Sequence, residues 1–200
     1  MFYIKGKLQD SGGQNGANKV KEFLDVMDDE VEHSNRIITS MIDYARMPVH
    51  ESEAADIQQL IDESIANAHL NDNIQVITEF DEDLPSVSLD GAMVSKALRA
   101  MIEKASESMP NGGNLEITAK QDGGNLILDI QDSGHGLAPS ELTKVLDLLF
   151  STRNRGVGFG LPIALQVVRG HGGSLDIVST PGSGTTVTIT LPLSKQPVSV

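Results

Sequence analysis

Two alternating apolar and polar runs in "GNLEITAKQDGGNLILDIQDSG", residues 113–134, constrain the fold of this chain more than any other feature. Alternation with a period of two predicts strands that bury one face. The Asp-Gly-Gly between the runs is typical of a tight turn, so the segment predicts a β-hairpin. The segment "GSLDIVSTPGSGTTVTITLP", residues 173–192, predicts a second one. A chain with two such hairpins builds a mostly antiparallel sheet.

Helical periodicity surrounds these hairpins. The segment 56–70 predicts a helix capped by Asp56, residues 73–85 alternate like a strand, and a helix is predicted from Asp90 to Met109. The stripe that this helix should bury contains Val94, Ala97, Leu98, Met101 and Ala105. Another helix begins at Leu161. The order of elements predicts an α+β fold over residues 51–200, a two-layer sandwich of a mostly antiparallel sheet with helices on one face.

The N-terminal quarter of the chain has a different pattern. Residues 9–18 predict a flexible loop, and residues 19–46 contain neither Gly nor Pro. Apolar residues there recur in steps of three and four, with Ser34 as the one polar member of the series: Leu24, Met27, Val31, Ile38, Met41 and Ala45. This pattern predicts a helix with a coiled-coil seam. The seam must pack against another helix, which is residues 1–8, a second subunit, or both.

Composition excludes several classes of function. With 15 Lys and Arg against 28 Asp and Glu, the net charge of -13 disfavours nonspecific binding to nucleic acid or anionic membranes. Any bound phosphate must therefore be held locally, by backbone amides, a metal or a few placed cations. The absence of Cys excludes disulfides and fits a reducing compartment. No apolar run reaches the length of a membrane span, so we expect a cytoplasmic segment of a protein that can be anchored elsewhere.

Two glycine-bearing segments are candidates for ligand binding. "GVGFG", Gly156 to Gly160, precedes the helix that begins at Leu161 and is a candidate phosphate cradle. The same spacing also occurs in ordinary turns, and the segment matches neither a Rossmann fingerprint nor a P-loop. "DSGHG", Asp132 to Gly136, ends a predicted buried strand. The Asp132 carboxylate can accept a hydrogen bond from an exocyclic amine such as that of adenine, or it can simply favour a turn.

Taken together, these segments resemble a known family. Residues 90–192 are similar to the catalytic ATP-binding domain of sensor histidine kinases, in the superfamily of gyrase, Hsp90 and MutL ATPases. The helix "MVSKALRAMIEKASESMPNGG" resembles the N box, "DSGHGL" the G1 box and "LFSTR" the F box of a lid. The remainder, from "GVGFGLPIALQVVRGHGG" to the end of the second hairpin, resembles the G2 box and the closing hairpin of the family. Four motifs in the family's order are unlikely to occur together by chance.

The resemblance extends to residues 1–50, as a partial dimerisation and histidine phosphotransfer hairpin. "EVEHSNRIITSMIDYARMP" is similar to its second helix and "MFYIKGKLQ" to the end of its first. On this alignment the phosphoacceptor histidine would precede Met1. His33 echoes the family's His-x-x-Arg, but no proline follows at the family's spacing, so we interpret it as a solvated helix histidine. His50, His69 and His171 are interpreted in the same way, and His135 as a variable position.

The resemblance implies a function and partners. ATP would be bound, its γ-phosphoryl would pass to a histidine on a helical hairpin, and then to an aspartate in the receiver domain of a response regulator. A homodimer through the hairpin is also implied, and neither nucleic acid nor membrane is an expected partner. Another ATPase of the superfamily, such as an anti-sigma-factor kinase, is disfavoured by "YARMP" and by the extent of the G2 match.

Roles for individual residues are also implied by the resemblance. Asp132 would hold the adenine amino group, and Gly134 and Gly136 would let the backbone pass close to the base. The lid glycines Gly156, Gly158 and Gly160 would present amides to the phosphates, with Leu161 directly after them. Thr152 and Arg153 stand at the family's Thr-Lys pair, so Arg153 either neutralises the γ-phosphate or faces solvent. Thr185 either lines the adenine pocket or is an ordinary strand residue.

The N box departs from the family pattern. Positions 100, 103, 104 and 107 lie on one stripe of the helix, where the family carries Asn, Glu, Asn and usually an acid. Here they are Ala100, Glu103, Lys104 and Glu107. Glu103 would polarise the nucleophile or a metal-bound water, and it is the one metal ligand retained. Lys104 replaces the asparagine that would bind Mg²⁺, and an ammonium has no lone pair to offer, so Mg²⁺ is doubtful as a cofactor.

Three consequences of Lys104 stay open at this point. Its ammonium can neutralise phosphates where the ion would lie, which predicts binding that depends little on metal. It can pair with Glu107 or Glu103 and block the nucleotide, which predicts a pseudokinase or signalling scaffold. Alternatively, Glu103 and ATP itself can hold Mg²⁺ less tightly and support a slow enzyme.

Overall fold

The computed structural model describes residues 14–45, 52–148, 150 and 158–193. The chain divides into two compact units, Met1–Ala45 and Arg46–Val200. Within the described residues, no helix is both long and apolar enough to cross a membrane. The first unit contains one described helix, α1 (Gln14–Ala45). The other helix predicted for this region, in residues 1–8, lies outside the described residues.

Helix α1 begins earlier than predicted. The loop predicted for residues 9–18 is wrong for residues 14–18, which form the first turns of this 32-residue helix. A glycine within a helix costs only about 1 kcal/mol relative to alanine, so Gly16 does not prevent the continuous helix from extending. Leu24 is buried, whereas most of the large apolar side chains on α1 are exposed: Val20, Phe23, Val26, Met27, Val31, Ile38, Met41 and Ile42.

The second unit is built on a five-stranded sheet with the order β2-β4-β5-β7-β6. Its strands are β2 (Ile74–Phe80), β4 (Gly113–Asp122), β5 (Asn125–Asp132), β6 (Ser174–Thr180) and β7 (Gly184–Pro192). The β2–β4 pair is parallel and the other three pairs are antiparallel. Both predicted hairpins are present, and the mostly antiparallel α+β fold is confirmed.

The helices are α2 (Ile57–Ala66), α3 (Gly91–Ser108) and α5 (Gly160–Gly170). Helices α3 and α5 pack on the apolar face of this sheet, and α2 packs against α3. A short helix, α4 (Pro139–Leu142), follows β5. The predicted cap is correct, because Asp56 Oδ1 accepts a hydrogen bond from the Gln59 amide at 3.1 Å. All five residues of the predicted α3 stripe are buried, and Ile102 is buried with them. Alternate residues of β4, β5 and β7 complete this core.

Two short strands were not predicted. Strands β1 (Glu53–Ala55) and β3 (Val87–Leu89) pair antiparallel in a separate two-stranded sheet. Three residues are too few to display an alternating pattern, which explains why the sequence did not indicate them. The start of α3 directly after β3 is fixed by its cap, Asp90, whose Oδ1 accepts a hydrogen bond from the Met93 amide at 3.1 Å.

His171 connects the two ends of the helical layer. Its Nδ1 lies 2.7 Å from the Val167 carbonyl oxygen of α5, and its Nε2 accepts a hydrogen bond from the Asp90 amide at 2.9 Å. The interpretation of His171 as a solvated histidine is therefore wrong, because both ring nitrogens are engaged by the backbone. Since α3 begins at Gly91, this side chain ties the end of α5 to the start of α3.

Candidate functional site

A cavity of about 210 Å³ lies between α3, the end of β5, and strands β6 and β7. Its polar and ionisable lining residues are Lys104, Glu107, Ser108, Asp132, His135, Glu141 and Thr185. Its apolar lining is formed by Met101, Ala105, Ile130, Gly136, Leu137, Leu161, Ile177 and Val187. An apolar cavity with a few convergent polar groups is the usual form of a small-molecule site.

Asp132 is the buried carboxylate of this cavity, with 6% of its surface exposed. It is the last residue of β5. Its Oδ1 accepts a hydrogen bond of 2.8 Å from the Gly134 amide. It also lies 2.8 Å from Ser108 Oγ, whose one proton is shared between this oxygen and the Ala105 carbonyl oxygen, which is likewise 2.8 Å away. Its Oδ2 has no hydrogen-bond partner among the described residues and is not sealed from solvent. The carboxylate is thus oriented through one oxygen and offers the other to the cavity as an acceptor.

The glycines around Asp132 are required by close approaches of the backbone. A Cβ on Gly134 would lie 2.0 Å from Ser108 Oγ, and one on Gly184 would lie 1.9 Å from the Asp132 carbonyl oxygen. Gly136 has φ +65°, and a Cβ there would lie 2.1 Å from the Thr180 carbonyl oxygen. No side chain fits at these points, so the loop after β5 can pass close to α3 and to the β6–β7 hairpin only because these residues are glycines.

A hydroxyl pair closes the same side of the cavity. Thr185 Oγ1 lies 2.9 Å from Ser179 Oγ, across the β6–β7 pair. The Ser179 hydroxyl oxygen also lies 3.0 Å from the Gly184 carbonyl oxygen and accepts a hydrogen bond from the Leu137 amide at 2.8 Å. Thr185 is therefore part of the cavity lining, as one of its two interpretations expected, and its hydroxyl is held by the neighbouring strand.

The N-box positions do not all face the cavity. Lys104 and Glu107 line it, and Lys104 Nζ lies 3.5 Å from Glu107 Oε2. Glu103 lies outside the lining, and its Oε1 is 3.0 Å from His69 Nδ1. Ala100 faces Gly160, where a Cβ would lie 3.6 Å from the Ala100 Cβ. The expected stripe thus separates into a part that lines the cavity and a part that packs beside it.

The glycine-rich segment before α5 is described only in part. Gly158 has φ +70° and lies just before Phe159, which is 4% exposed. Helix α5 begins at Gly160, and Leu161 lines the cavity. The described glycines of this segment are outside the lining itself. Thr152, Arg153 and Gly156 lie outside the described residues, so the roles expected of them stay predictions.

The described residues around the cavity do not fit a Mg²⁺ ion. The side chain at the expected ligand position is an ammonium, which cannot coordinate metal. Glu103, the other expected ligand, contacts His69 and is not part of the cavity lining. Within the described part of the chain, no group of three or more His, Asp and Glu side chains could hold a metal.

The other histidines have distinct surroundings. The His33 ring on α1 is half-buried, and its Nδ1 is shut off from solvent with no hydrogen-bond partner among the described residues. The interpretation of His33 as a solvated histidine is therefore wrong for its Nδ1 atom. The His69 side chain is 95% exposed, in agreement with its interpretation. His50 lies outside the described residues.

Three lining residues were missed from the sequence. Ser108 holds Asp132, and its position four residues after Lys104 on the same helix face was the available signal. His135 lines the cavity, and its Nδ1 lies 2.6 Å from the Gly136 carbonyl oxygen. Glu141 Oε2 accepts a hydrogen bond from the Ala138 amide at 2.8 Å. Nothing in the sequence indicated that α4 brings this carboxylate to the cavity.

Comparison with known proteins gives consistent matches. The family model described as histidine kinase-, DNA gyrase B- and HSP90-like ATPase matches residues 89–195. The sensor histidine kinase ZraS of Escherichia coli (strain K12) is 27% identical over 177 residues, which cover 86% of this chain and 38% of that protein. Sensor protein SrrB of Staphylococcus aureus (strain N315) is 32% identical over 187 residues, which cover 88% and 32% respectively.

A solved structure matches as well. The structure of the mycobacterial sensor histidine kinase MprB covers 72% of this chain and 99% of that chain, with 28% sequence identity and a TM-score of 0.62. The chain spans between 32% and 39% of the length of the first curated relatives that it matches.

Proposed function

Because this chain belongs to the family of histidine kinase-, DNA gyrase B- and HSP90-like ATPases, with an ATP-binding domain of the histidine kinase type, we propose that it is the ATP-binding core of a sensor histidine kinase. Residues 51–200 form the catalytic domain and residues 1–50 contribute to a helical phosphotransfer hairpin. The γ-phosphoryl group leaves ADP, bonds to a ring nitrogen of a histidine, and is then passed to an aspartate of a response regulator receiver domain.

The observation that carries this proposal is the second carboxylate oxygen of Asp132. Its partner oxygen is held at 2.8 Å by Ser108 and by the Gly134 amide. The carboxylate therefore meets a ligand in one orientation, as an acceptor in a cavity lined by both apolar and polar side chains. An exocyclic amine is the matching donor. Gly134, Gly136 and Thr185 then lie beside the base. We assign this base as adenine, whose exocyclic amine donates a hydrogen bond to Asp132.

The phosphates extend from the base along α3 and toward the segment before α5. Gly158 and Gly160 contribute backbone amides there, and the start of α5 adds a favourable helix dipole. We assign Gly156, Thr152 and Arg153 to the same role, with Arg153 as a cation for the γ-phosphate. Glu103 acts on the nucleophile only after its contact with His69 is broken, because in this structure it is outside the cavity.

None of the five histidines of this chain has the motif context of a phosphoacceptor, so the acceptor belongs to a separate segment or chain. Incubation of residues 1–200 with γ-labelled ATP should leave no stable label on His33. A second protein segment that carries the family's acceptor motif, added in the same reaction, is the positive arm. Label on His33 itself would overturn this assignment.

We also propose that α1 mediates a homodimer. Its exposed apolar residues recur in steps of three and four over several turns, the pattern that packs against another helix. Light scattering should give twice the chain mass at micromolar concentration. Val31→Asp should shift the protein to monomer, while Glu32→Gln, a matched change at the next position, should not. A monomeric wild-type chain would contradict the proposal.

A second candidate function is a pseudokinase or signalling scaffold that binds nucleotide poorly. The contact of 3.5 Å between Lys104 and Glu107 favours it, because this pair lies in the cavity lining. In that case ATP would have to displace an ion pair from its own site, and phosphoryl transfer would be lost.

Base selectivity tests the proposed function directly. Guanine in the adenine position would place a carbonyl oxygen, in place of an amine, against the Asp132 carboxylate. Titration calorimetry should therefore give at least about tenfold tighter binding of ATP than of GTP, since a lost hydrogen bond to a charged group is worth a factor of that order. Equal affinities, or no binding of either nucleotide, would contradict the assignment of the cavity.

A further inference from the structure

We propose that Lys104 takes the place of the divalent cation in this site, so that ATP binds to the cavity with little dependence on Mg²⁺. The inference rests on the proposed function, because it concerns the phosphates of the same nucleotide. It depends on the Lys104 side chain, on its neighbours and on the charge that they bring to the cavity.

Lys104 lies close to the proposed position of the phosphates. Lys104 lies one helical turn before Ser108, the residue that holds Asp132, so the two Cα atoms are separated by about 6 Å along α3. A base bound at Asp132 therefore has its phosphates within reach of the long lysine side chain. The side chain is one-third exposed and lines the cavity, so it is accessible to a ligand there.

The charge of the cavity lining also favours this role for Lys104. The described lining contains three carboxylates, from Glu107, Asp132 and Glu141, and Lys104 is the one Lys or Arg among the described lining residues. A triphosphate brings further negative charge into a chain whose net charge is already -13. Without a cation beside the phosphates, the approach of ATP would be strongly unfavourable. Lys104 is placed to supply that charge.

A Mg²⁺ ion fits poorly beside Lys104. An ammonium beside the phosphates repels Mg²⁺ and offers it no lone pair. Glu103, the other metal ligand that the family resemblance implies, is 3.0 Å from His69 Nδ1 and outside the lining, so it adds no ligand here that would offset the repulsion from Lys104. Lysine is a known point charge for phosphate, whereas Mg²⁺ requires oxygen ligands in near-ideal octahedral geometry.

The contact between Lys104 and Glu107 is compatible with this role. At 3.5 Å, with the two side chains 33% and 35% exposed, it belongs to the class of surface ion pairs that contribute little. A phosphate group, with its greater charge, can compete for the ammonium. Removal of the Glu107 charge should therefore favour ATP, because Lys104 is then held less and one negative charge leaves the lining.

The test is titration calorimetry of the full chain with ATP and with adenosine, each in excess Mg²⁺ and in EDTA. The wild type should bind ATP equally in both buffers, within about twofold. Lys104→Asn should make ATP binding at least about tenfold tighter in Mg²⁺ than in EDTA. In EDTA, Lys104→Ala should weaken ATP about tenfold without changing adenosine, and Glu107→Gln should strengthen ATP. Lys120→Ala, an exposed lysine on β4 outside the lining, is the matched control and should change nothing.

Each other outcome overturns the inference in a distinct way. If magnesium strengthens ATP binding about tenfold in the wild type, the metal is used despite Lys104. If Lys104→Ala strengthens ATP binding, the lysine blocks the site and the pseudokinase function is favoured. If adenosine and ATP both fail to bind the wild type, the proposed function itself fails. Retained adenosine binding with ordinary magnesium dependence refutes this inference alone.

Discussion

The two ends of the cavity differ in how they are held. At the Asp132 end, the carboxylate, the Gly134 amide and the Ser108 hydroxyl form a connected set of hydrogen bonds of 2.8 Å. At the Lys104 end, the contacts include a 3.5 Å ion pair with Glu107 and an exposed pair between Glu103 and His69. The first end is fixed by backbone approaches that exclude any side chain, whereas the second depends on long side chains at the surface.

This difference shows which part of a nucleotide site tolerates change. A glycine that lies against a backbone carbonyl cannot be replaced without moving a strand. A residue at the rim of α3 can be replaced with small effect on the fold, because its side chain is partly in water. On the proposed function, base recognition is therefore built into the fold of this chain, while the handling of phosphate and metal can change through single residues such as Lys104.

The largest effect is expected at Gly184. A Cβ there would lie 1.9 Å from the Asp132 carbonyl oxygen, and the residue has φ +94°. Gly184→Ala should lower the free energy of unfolding by about 3 kcal/mol, from backbone strain and forced displacement of β5. Chemical denaturation of the wild type and the variant measures this loss of free energy of unfolding. Gly124→Ala, where the added Cβ meets nothing within 4 Å, should change the free energy of unfolding by less than about 0.5 kcal/mol. Equal losses in both variants would show that the close approach is not what matters.

An intermediate effect is expected at Ser108. Its hydroxyl donates to Asp132 Oδ1 at 2.8 Å, so Ser108→Ala frees the carboxylate from one of its two restraints. Binding of adenosine and of ATP should weaken by the same factor, about fivefold, since a typical hydrogen bond contributes about 1 kcal/mol. Calorimetry with both ligands measures the two factors. A loss confined to ATP would place Ser108 at the phosphates instead of the base.

The smallest effect is expected at His69. Its side chain is 95% exposed and its contact with Glu103 is at the surface. His69→Ala should leave the melting temperature and adenosine binding unchanged within error, because exposed ion pairs contribute little. If it strongly lowers adenosine affinity, the two ends of the cavity are coupled and the comparison between them is wrong.

The sequence was sufficient for the parts of the fold that have strong periodicity. The hairpin of β4 and β5, the stripe of α3 and the Asp56 cap were all predicted at the right residues. The parallel pairing of β2 with β4 was not predicted, because strand order depends on how distant segments pack. The strands β1 and β3 are too short to carry a pattern.

For the site, the sequence indicated Asp132, Gly136 and Thr185, which line the cavity, but it did not predict the orientation of the N box. Glu103 and Lys104 are adjacent, so on a helix their side chains point about 100° apart, and only Lys104 lines the cavity. The residues of α3 that line the cavity are Met101, Lys104, Ala105, Glu107 and Ser108, an arc that leaves out Ala100 and Glu103. Which arc of α3 faces the cavity depends on the rotation of the helix against the sheet, which the sequence alone does not specify.

Binding of ATP to the wild type and to Asp132→Asn, measured by titration calorimetry, tests the central claim most directly. The variant keeps the shape of the side chain but presents an amide to the base, so ATP affinity should fall by about thirtyfold or more. Asp129→Asn is the matched control on the same strand. The Asp129 carboxylate accepts a hydrogen bond from the Thr188 hydroxyl and lies outside the cavity lining, so this variant should bind ATP like the wild type. Undiminished ATP binding by Asp132→Asn would contradict the account.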